Sequence, residues 1–415
     1  MFDPRPSTRR RAVPLRAALL AGIIATAAPL AGCGKSLPSE GPSRGAGVAT
    51  VGRGGAVSPS GLVMENTTRL GGADPVADAA AAALAAYPGL TQATRPEAVV
   101  LVDEHDWSAA LAAAALASPP LGAPLLYTDG DTLPATSAQA LATMRPRGSR
   151  ALGGAQVIEL GTTAAPAAYR ALHLRIEAGG EATLAAQVVR LLAVARGAAS
   201  RRALVIGADG PAALAMPAAA LAAETGAPVL PVGARGIPLA TRRALLGLRR
   251  PAIYAIGPPA AIGHAVLSEL ARLGPVRRVF DPTPGVGVSA AANAVAVARY
   301  HDGQFGWGVE EPGHSFLFAN AGRPLDAPAT AALAASGDPL LLLEGANVVP
   351  EVLRTYLSDI QPSYPEYEPT RGFYNRGLVV GDERAITATA QAELDTMLAS
   401  APQSQSPSTQ ESEAP

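Results

Sequence analysis

The chain has 415 residues, which is long for one ordinary domain and enough for two or three plus tails. Hydrophobic residues make up 48 % and charged residues 16 %, which permits a buried core and excludes global disorder, while aromatics at 4 % argue against an aromatic-lined nucleic-acid platform. One cysteine excludes a disulfide scaffold and a cysteine-built zinc site, and a formal net charge of −1 calls for no DNA or RNA partner.

The first segment, residues 1–32, reads as an address. Arg9, Arg10, Arg11 and Arg16 precede an apolar run from Ala17 to Gly32. The run falls short of the ~20 residues that span a bilayer and has the flanks of a secretory signal. It ends Leu30-Ala31-Gly32-Cys33, which resembles a bacterial lipoprotein lipobox. That resemblance implies cleavage before Cys33, a diacylglycerol on its thiol, and a protein held by lipid on the extracytoplasmic face of the cell membrane. An ordinary cleaved signal with a chance cysteine is the plainer alternative. Residues 33–66 are rich in Gly, Ser and Pro and read as a flexible tether, and residues 400–415 as a disordered tail.

Between the tails the same pattern is written three times. Each copy opens with a glycine-bearing turn before a long helix: Gly71-Gly72-Ala73-Asp74, Ala178-Gly179-Gly180-Glu181 and Pro284-Gly285-Val286-Gly287. An apolar strand follows, over 99–102, 203–206 and 316–319. Next comes an alanine-rich helix, closed by Gly-x-Pro and a second strand: Gly122-Ala123-Pro124-Leu125-Leu126, Gly226-Ala227-Pro228-Val229-Leu230 and Gly337-Asp338-Pro339-Leu340-Leu341. The glycine ends the helix and the proline prevents its continuation. A third strand runs into a glycine at Gly161, Gly257 and Gly381. Short apolar runs alternating with helices predict a parallel sheet with crossover helices. The fold class is therefore α/β, as three tandem parallel-sheet repeats: 67–170, 171–273 and 274–399, the last with insertions.

The residues of repeat 1 carry a family resemblance. Thr68-Arg69-Leu70-Gly71-Gly72-Ala73-Asp74, Asp106-Trp107-Ser108-Ala109-Ala110-Leu111 and Gly122-Ala123-Pro124-Leu125-Leu126-Tyr127-Thr128 followed by Leu133-Pro134 resemble the cell wall-binding repeat family, type 2. The likeness extends over about Thr68 to Leu398 and weakens towards repeat 3. It implies three α/β units about a pseudo-threefold axis. It also implies noncovalent attachment to anionic cell-wall polymers of Gram-positive bacteria, with no catalytic step and no cofactor. Departures exist: Pro75 stands where the family has arginine, and Glu181 replaces the acid corresponding to Asp74.

The opening turns are the first candidate site, because free N–H groups at a helix start suit an anion. Arginines stand nearby, and a guanidinium clamps carboxylate or phosphate with paired hydrogen bonds. The candidate polymer-binding residues are Arg69, Gly71, Gly72 and Asp74 in repeat 1, Arg175, Gly179 and Gly180 in repeat 2, and Arg277 and Arg278 in repeat 3. The plainer reading gives the glycines tight turns only and pairs the arginines with Asp74, Glu177 or Asp281. Asp103, Glu104, His105 and Asp106, after the first strand, form a second ligand-edge candidate, although Asp106 also suits a helix cap. The loose dinucleotide fingerprint Gly285-Val286-Gly287-Val288-Ser289-Ala290 has no counterpart in the other repeats. His301, Asp302, Glu310, Glu311 and His314 match no helical metal motif, and Phe305 and Trp307 read as pins for that insertion. The aromatic group Tyr356, Tyr364, Tyr367, Phe373 and Tyr374 reads as a cap on repeat 3. No Gly-x-Ser-x-Gly occurs within the three repeats, and the sole lysine, Lys35, lies in the tether. Two rivals to wall-polymer binding remain open: a transporter's substrate-binding lipoprotein, and an envelope enzyme.

Overall fold

The computed structural model describes residues 62–175, 180–280, 289–364 and 373–402. The signal segment, Cys33, the tether up to residue 61, Gly179, the Gly285–Gly287 turn, Tyr367 and the tail beyond 402 lie outside the described residues. No described helix is long and apolar enough to cross a membrane.

Repeat 1 runs β1 (Thr67–Leu70), α1 (Pro75–Ala86), β2 (Val99–Asp103), α2 (Trp107–Ala113), β3 (Leu125–Thr128), α3 (Ala135–Met144) and β4 (Val157–Leu160). Repeat 2 runs β5 (Ala171–Leu174), α4 (Glu181–Arg196), β6 (Arg202–Gly207), α5 (Pro217–Thr225), β7 (Val229–Val232), α6 (Leu239–Gly247), β8 (Ala252–Ile256) and α7 (His264–Ala271). Repeat 3 begins with β9 (Val276–Val279), α8 (Ala290–Arg299), β10 (Ser315–Asn320), α9 (Asp326–Ala329) and α10 (Ala331–Ala334). It continues with β11 (Leu340–Leu343), α11 (Glu351–Asp359), β12 (Ser363–Tyr364), β13 (Arg376–Val380), α12 (Ala388–Leu398) and β14 (Ala401–Pro402).

Three four-stranded sheets, parallel throughout, result: β3-β2-β4-β5, β7-β6-β8-β9 and β11-β10-β13-β1. The middle strands are continuous apolar runs because helices cover both faces. Val99, Val100, Leu101 and Val102 are fully buried, as are Phe316 to Ala319.

Sequence repeat and sheet are offset by one strand. The first strand of each repeat pairs with the last strand of the preceding repeat: β5 with β4, β9 with β8. The N-terminal β1 closes the cycle by pairing with β13, with Arg69 opposite Val379 and Leu70 opposite Val380. The helices follow the same rule. α4 packs on α2 of the repeat before it, α8 on α5, and α1 on α9 and α10. At the centre the 3₁₀ turn Ala114–Ala117, α5 and α10 meet pairwise. Alanine dominates these segments because only small side chains let three helices approach one axis. Ala115, Ala219 and Ala334 are fully buried there, and one apolar cluster runs through all three repeats.

The insertions divide. Phe305 is buried and its ring stacks on Tyr254 at 4.0 Å, which pins the loop after α8 as expected. Tyr356 lies in the core of repeat 3, whereas Phe373 and Tyr374 are exposed. The two-residue strands β12 and β14 pair in parallel, Ser363 opposite Ala401 and Tyr364 opposite Pro402.

Candidate ligand site: the opening turns and the sheet edges

In repeat 1 the opening turn is already occupied by the chain itself. Gly71 has φ +115°, and a Cβ there would lie 2.2 Å from Asp78 Oδ1 and 2.9 Å from the Gly381 nitrogen, so only glycine fits. The Gly72 N–H donates to Asp78 Oδ1 at 2.6 Å. Asp78 Oδ2 pairs with Arg323 Nη2, and Arg323 Nε donates to Asp326 Oδ2 at 2.8 Å. Both carboxylates are fully buried. A carboxyl group does sit at the turn, then, and it is a side chain of α1. Burial, with Asp326 adding to it, pushes the Asp78 carboxyl up to about 8, against the opposing pull of the Gly72 N–H and Arg323. Asp74 caps α1, accepting from the Ala77 N–H at 2.9 Å.

Arg69 is likewise spent inside the fold. It is 5 % exposed. Its Nη1 donates to the carbonyls of Gly381 and Asp382, both at 2.9 Å, and its Nη2 to Ile386 at 2.7 Å. The guanidinium thereby ties β1 to the loop after β13. Arg278 repeats the device on the second sheet, donating to the carbonyls of Gly257, at 2.7 Å, and Ile262. Neither arginine has its fork free for an external anion, and neither pairs with Asp74; Glu177 and Asp281 lie outside the described residues. The strand register puts His173 in the same place on the first sheet, where its Nδ1 lies 2.5 Å from Oε2 of the fully buried Glu159. Glu159 Oε1 in turn accepts from the Ala165 N–H at 2.6 Å.

The remaining predicted residues scatter. Arg277 faces away from Arg278, as strand alternation requires, and its Nη1 lies 2.9 Å from Asp302. Gly180 has φ +66° and precedes α4. Arg175 is exposed and its side chain has no hydrogen bond or ion pair among the described residues. The structure thus brings Arg69, Gly71 and Gly72 together as a packed joint, and does not gather the described candidates into one open site.

The strand ends after β2 form the second candidate. Asp103 Oδ1 accepts from the His105 N–H, from the Gly130 N–H, and contacts His105 Nδ1 at 2.9 Å. Those bonds, opposing the effect of desolvation, hold its carboxyl below the usual range. Glu104, His105 and Asp129 place their ligand atoms within 4.8 Å of one another, an exposed or half-exposed group that could hold a cation. Asp106 caps α2 through the Ala109 N–H at 2.8 Å, as the plainer reading had it. His301 and His314 form no such group among the described residues.

Sequence reasoning missed Asp78, Asp326 and Glu159. A signal existed for the first: Asp78 is the one charged residue within an otherwise apolar α1.

The molecule belongs to the class of closed triplets of parallel α/β repeats. No family model matches the chain, and no curated protein matches it. Solved structures do. Cwp8 from Clostridium difficile superposes with a TM-score of 0.59 at 17 % identity, over 81 % of this chain and 52 % of that one. Cwp6 from Clostridium difficile gives 0.62 at 15 % identity, over 80 % of this chain and 48 % of that one. This chain spans about half the length of each. At such identities the likeness establishes the shared fold.

Proposed function

We propose that this protein is a cell-envelope protein, anchored by a lipid on Cys33, that binds a cell-wall polymer noncovalently and catalyses no reaction. The polymer would be an anionic glycan or a teichoic-acid-like chain, or peptidoglycan itself. The observation that carries this reading is the fold shared over about four-fifths of the chain with two C. difficile cell wall proteins. The resemblance of repeat 1 to cell wall-binding repeats and the lipobox-like Leu30–Cys33 point the same way. With Arg69 and Arg278 consumed inside the fold, the cations that remain for a polymer are surface arginines such as Arg175. Several weak contacts on three repeats multiply in effect when one polymer spans them.

The test is sedimentation of residues 62–402 with purified cell walls, beside walls stripped of their anionic polymers. Pelleting with intact walls alone supports the reading. No pelleting with either kind of wall refutes it and leaves a protein or a small molecule as the ligand.

A further inference from the structure

Between α4 and α6 of repeat 2 lies a groove of about 510 Å³, within the ~300–1,000 Å³ typical of small-molecule sites. Its position has counterparts in the other repeats. The helices that form it begin after equivalent caps, Asp74, Gly180 and Ser289 on one side and Pro134, Pro238 and Pro350 on the other. Counting from those caps, Arg190 corresponds to Arg299, Ala244 to Tyr356 and Gly247 to Asp359.

In repeat 3 that space is closed. Tyr356 is 1 % exposed and donates its hydroxyl to the Val309 carbonyl at 3.0 Å. Arg299 lies over its ring at 4.9 Å and pairs with Asp359. In repeat 1, Leu84 and Tyr87 pack over the corresponding cluster. Repeat 2 lacks every one of these fillers. Alanine and glycine stand at 244 and 247, so the groove opens and Arg190 loses its acid.

What remains is chemically specific. The floor is mostly alanine, valine and leucine, its one hydroxyl, Thr183, donates to the Gly180 carbonyl at 2.6 Å, and Leu239 stands 61 % exposed at the side. Arg190 and Arg243 line it, both exposed, with no hydrogen bond or ion pair among the described residues. No carboxylate lines the groove. A sugar would leave its hydroxyls without partners on such a floor, which costs affinity. A chain of methylenes would not, and two guanidinium groups match a doubly charged head.

We propose that the α4–α6 groove of repeat 2 binds a phosphate-headed lipid, with the phosphate monoester at Arg190 and Arg243 and the acyl or prenyl chain on the apolar floor. The site is separate from wall binding, and its test does not use walls.

The experiment is calorimetric titration of the full chain with decyl phosphate below its micellar concentration, with decanol and inorganic phosphate in parallel. Decyl phosphate binds saturably and at least tenfold more tightly than either fragment. The double variant Arg190→Ala/Arg243→Ala weakens binding at least tenfold. Ala244→Tyr, which restores the filler of repeat 3, blocks the chain site and abolishes binding while the melting temperature is kept. Equal affinity of the double variant and the parent overturns the proposal, because it places the lipid elsewhere, for example on the apolar run of 17–32. So does decyl phosphate binding no more tightly than decanol, or no saturable binding up to millimolar concentration.

Discussion

Asp78 shows why a residue's neighbours decide its role. Two buried carboxyls, Asp78 and Asp326, share one guanidinium, Arg323. Desolvation therefore outweighs attraction, and both carboxyls titrate above their ordinary values. The consequence for stability has a definite sign. The folded protein holds the Asp78 proton up to about pH 8, whereas the unfolded chain releases it near the ordinary aspartate value of 3.8. Between those values the folded state binds more protons, so stability falls as pH rises across the interval. Thermal melts should show a higher midpoint at pH 5 than at pH 8. Asp78→Asn cannot ionise, so it should flatten the dependence between pH 6 and 8, whatever it does to absolute stability. An unchanged slope in the variant would show that the pair does not titrate in this range. The sequence displayed Arg69 and Arg278 beside glycine turns, but not the face of the strand each occupies. Alternation along an edge strand sends Arg277 outward and Arg278 inward, and only pairing register fixes which is which.

At the scale of elements, the repeats were legible because their middle strands are fully buried. Such strands need uninterrupted apolar residues, and 99–102, 203–206 and 316–319 each fall within an observed strand. The opening strands escaped notice for the opposite reason. β5 and β9 lie at sheet edges, half exposed, and read Ala-Leu-His-Leu and Val-Arg-Arg-Val. β1 is the most instructive of the three, since it joins a sheet whose other strands all come from repeat 3, at the far end of the described chain. Besides its ladder with β13, it is held by α12. The Asn66 N–H and the Thr67 hydroxyl both donate to Asp395 Oδ1 at 2.8 Å, and Gln391 Nε2 donates to the Leu62 carbonyl at 3.0 Å. Asp395→Ala removes one acceptor from two donors, a loss of about 1–3 kcal/mol. The loosening should be local. Hydrogen exchange should accelerate in β1 and at the β13 edge, and remain unchanged in the sheet of repeat 2. Uniform acceleration across all three sheets would mean that β1 cannot open without the whole molecule.

For the whole molecule, the offset between repeat and sheet makes the three repeats interdependent. Each sheet borrows its edge strand from the next repeat, and each opening helix packs on the repeat before it. A fragment of residues 67–273 keeps two sequence repeats but not two complete units. It lacks β9 for the second sheet. It leaves β1 without β13, α1 without α9 and α10, and α5 without α10. The fully buried alanines of α5 would face water on one side. Adjacent modules that shared only a surface would tolerate the cut, because domains with their own cores fold alone. Here the inner faces of the three sheets share one central cluster, and only the smaller clusters on the outer faces belong to single repeats, so no repeat keeps a complete core when cut out. Residues 62–402 should therefore unfold in one transition, with circular dichroism and tryptophan fluorescence coincident in urea. The 67–273 fragment should show no cooperative transition. A fragment that melts cooperatively would establish independent repeats and make truncation a fair way to count polymer sites. If it does not, binding must be divided among the repeats by surface substitutions in the closed triplet, because removing a repeat would remove the fold with it.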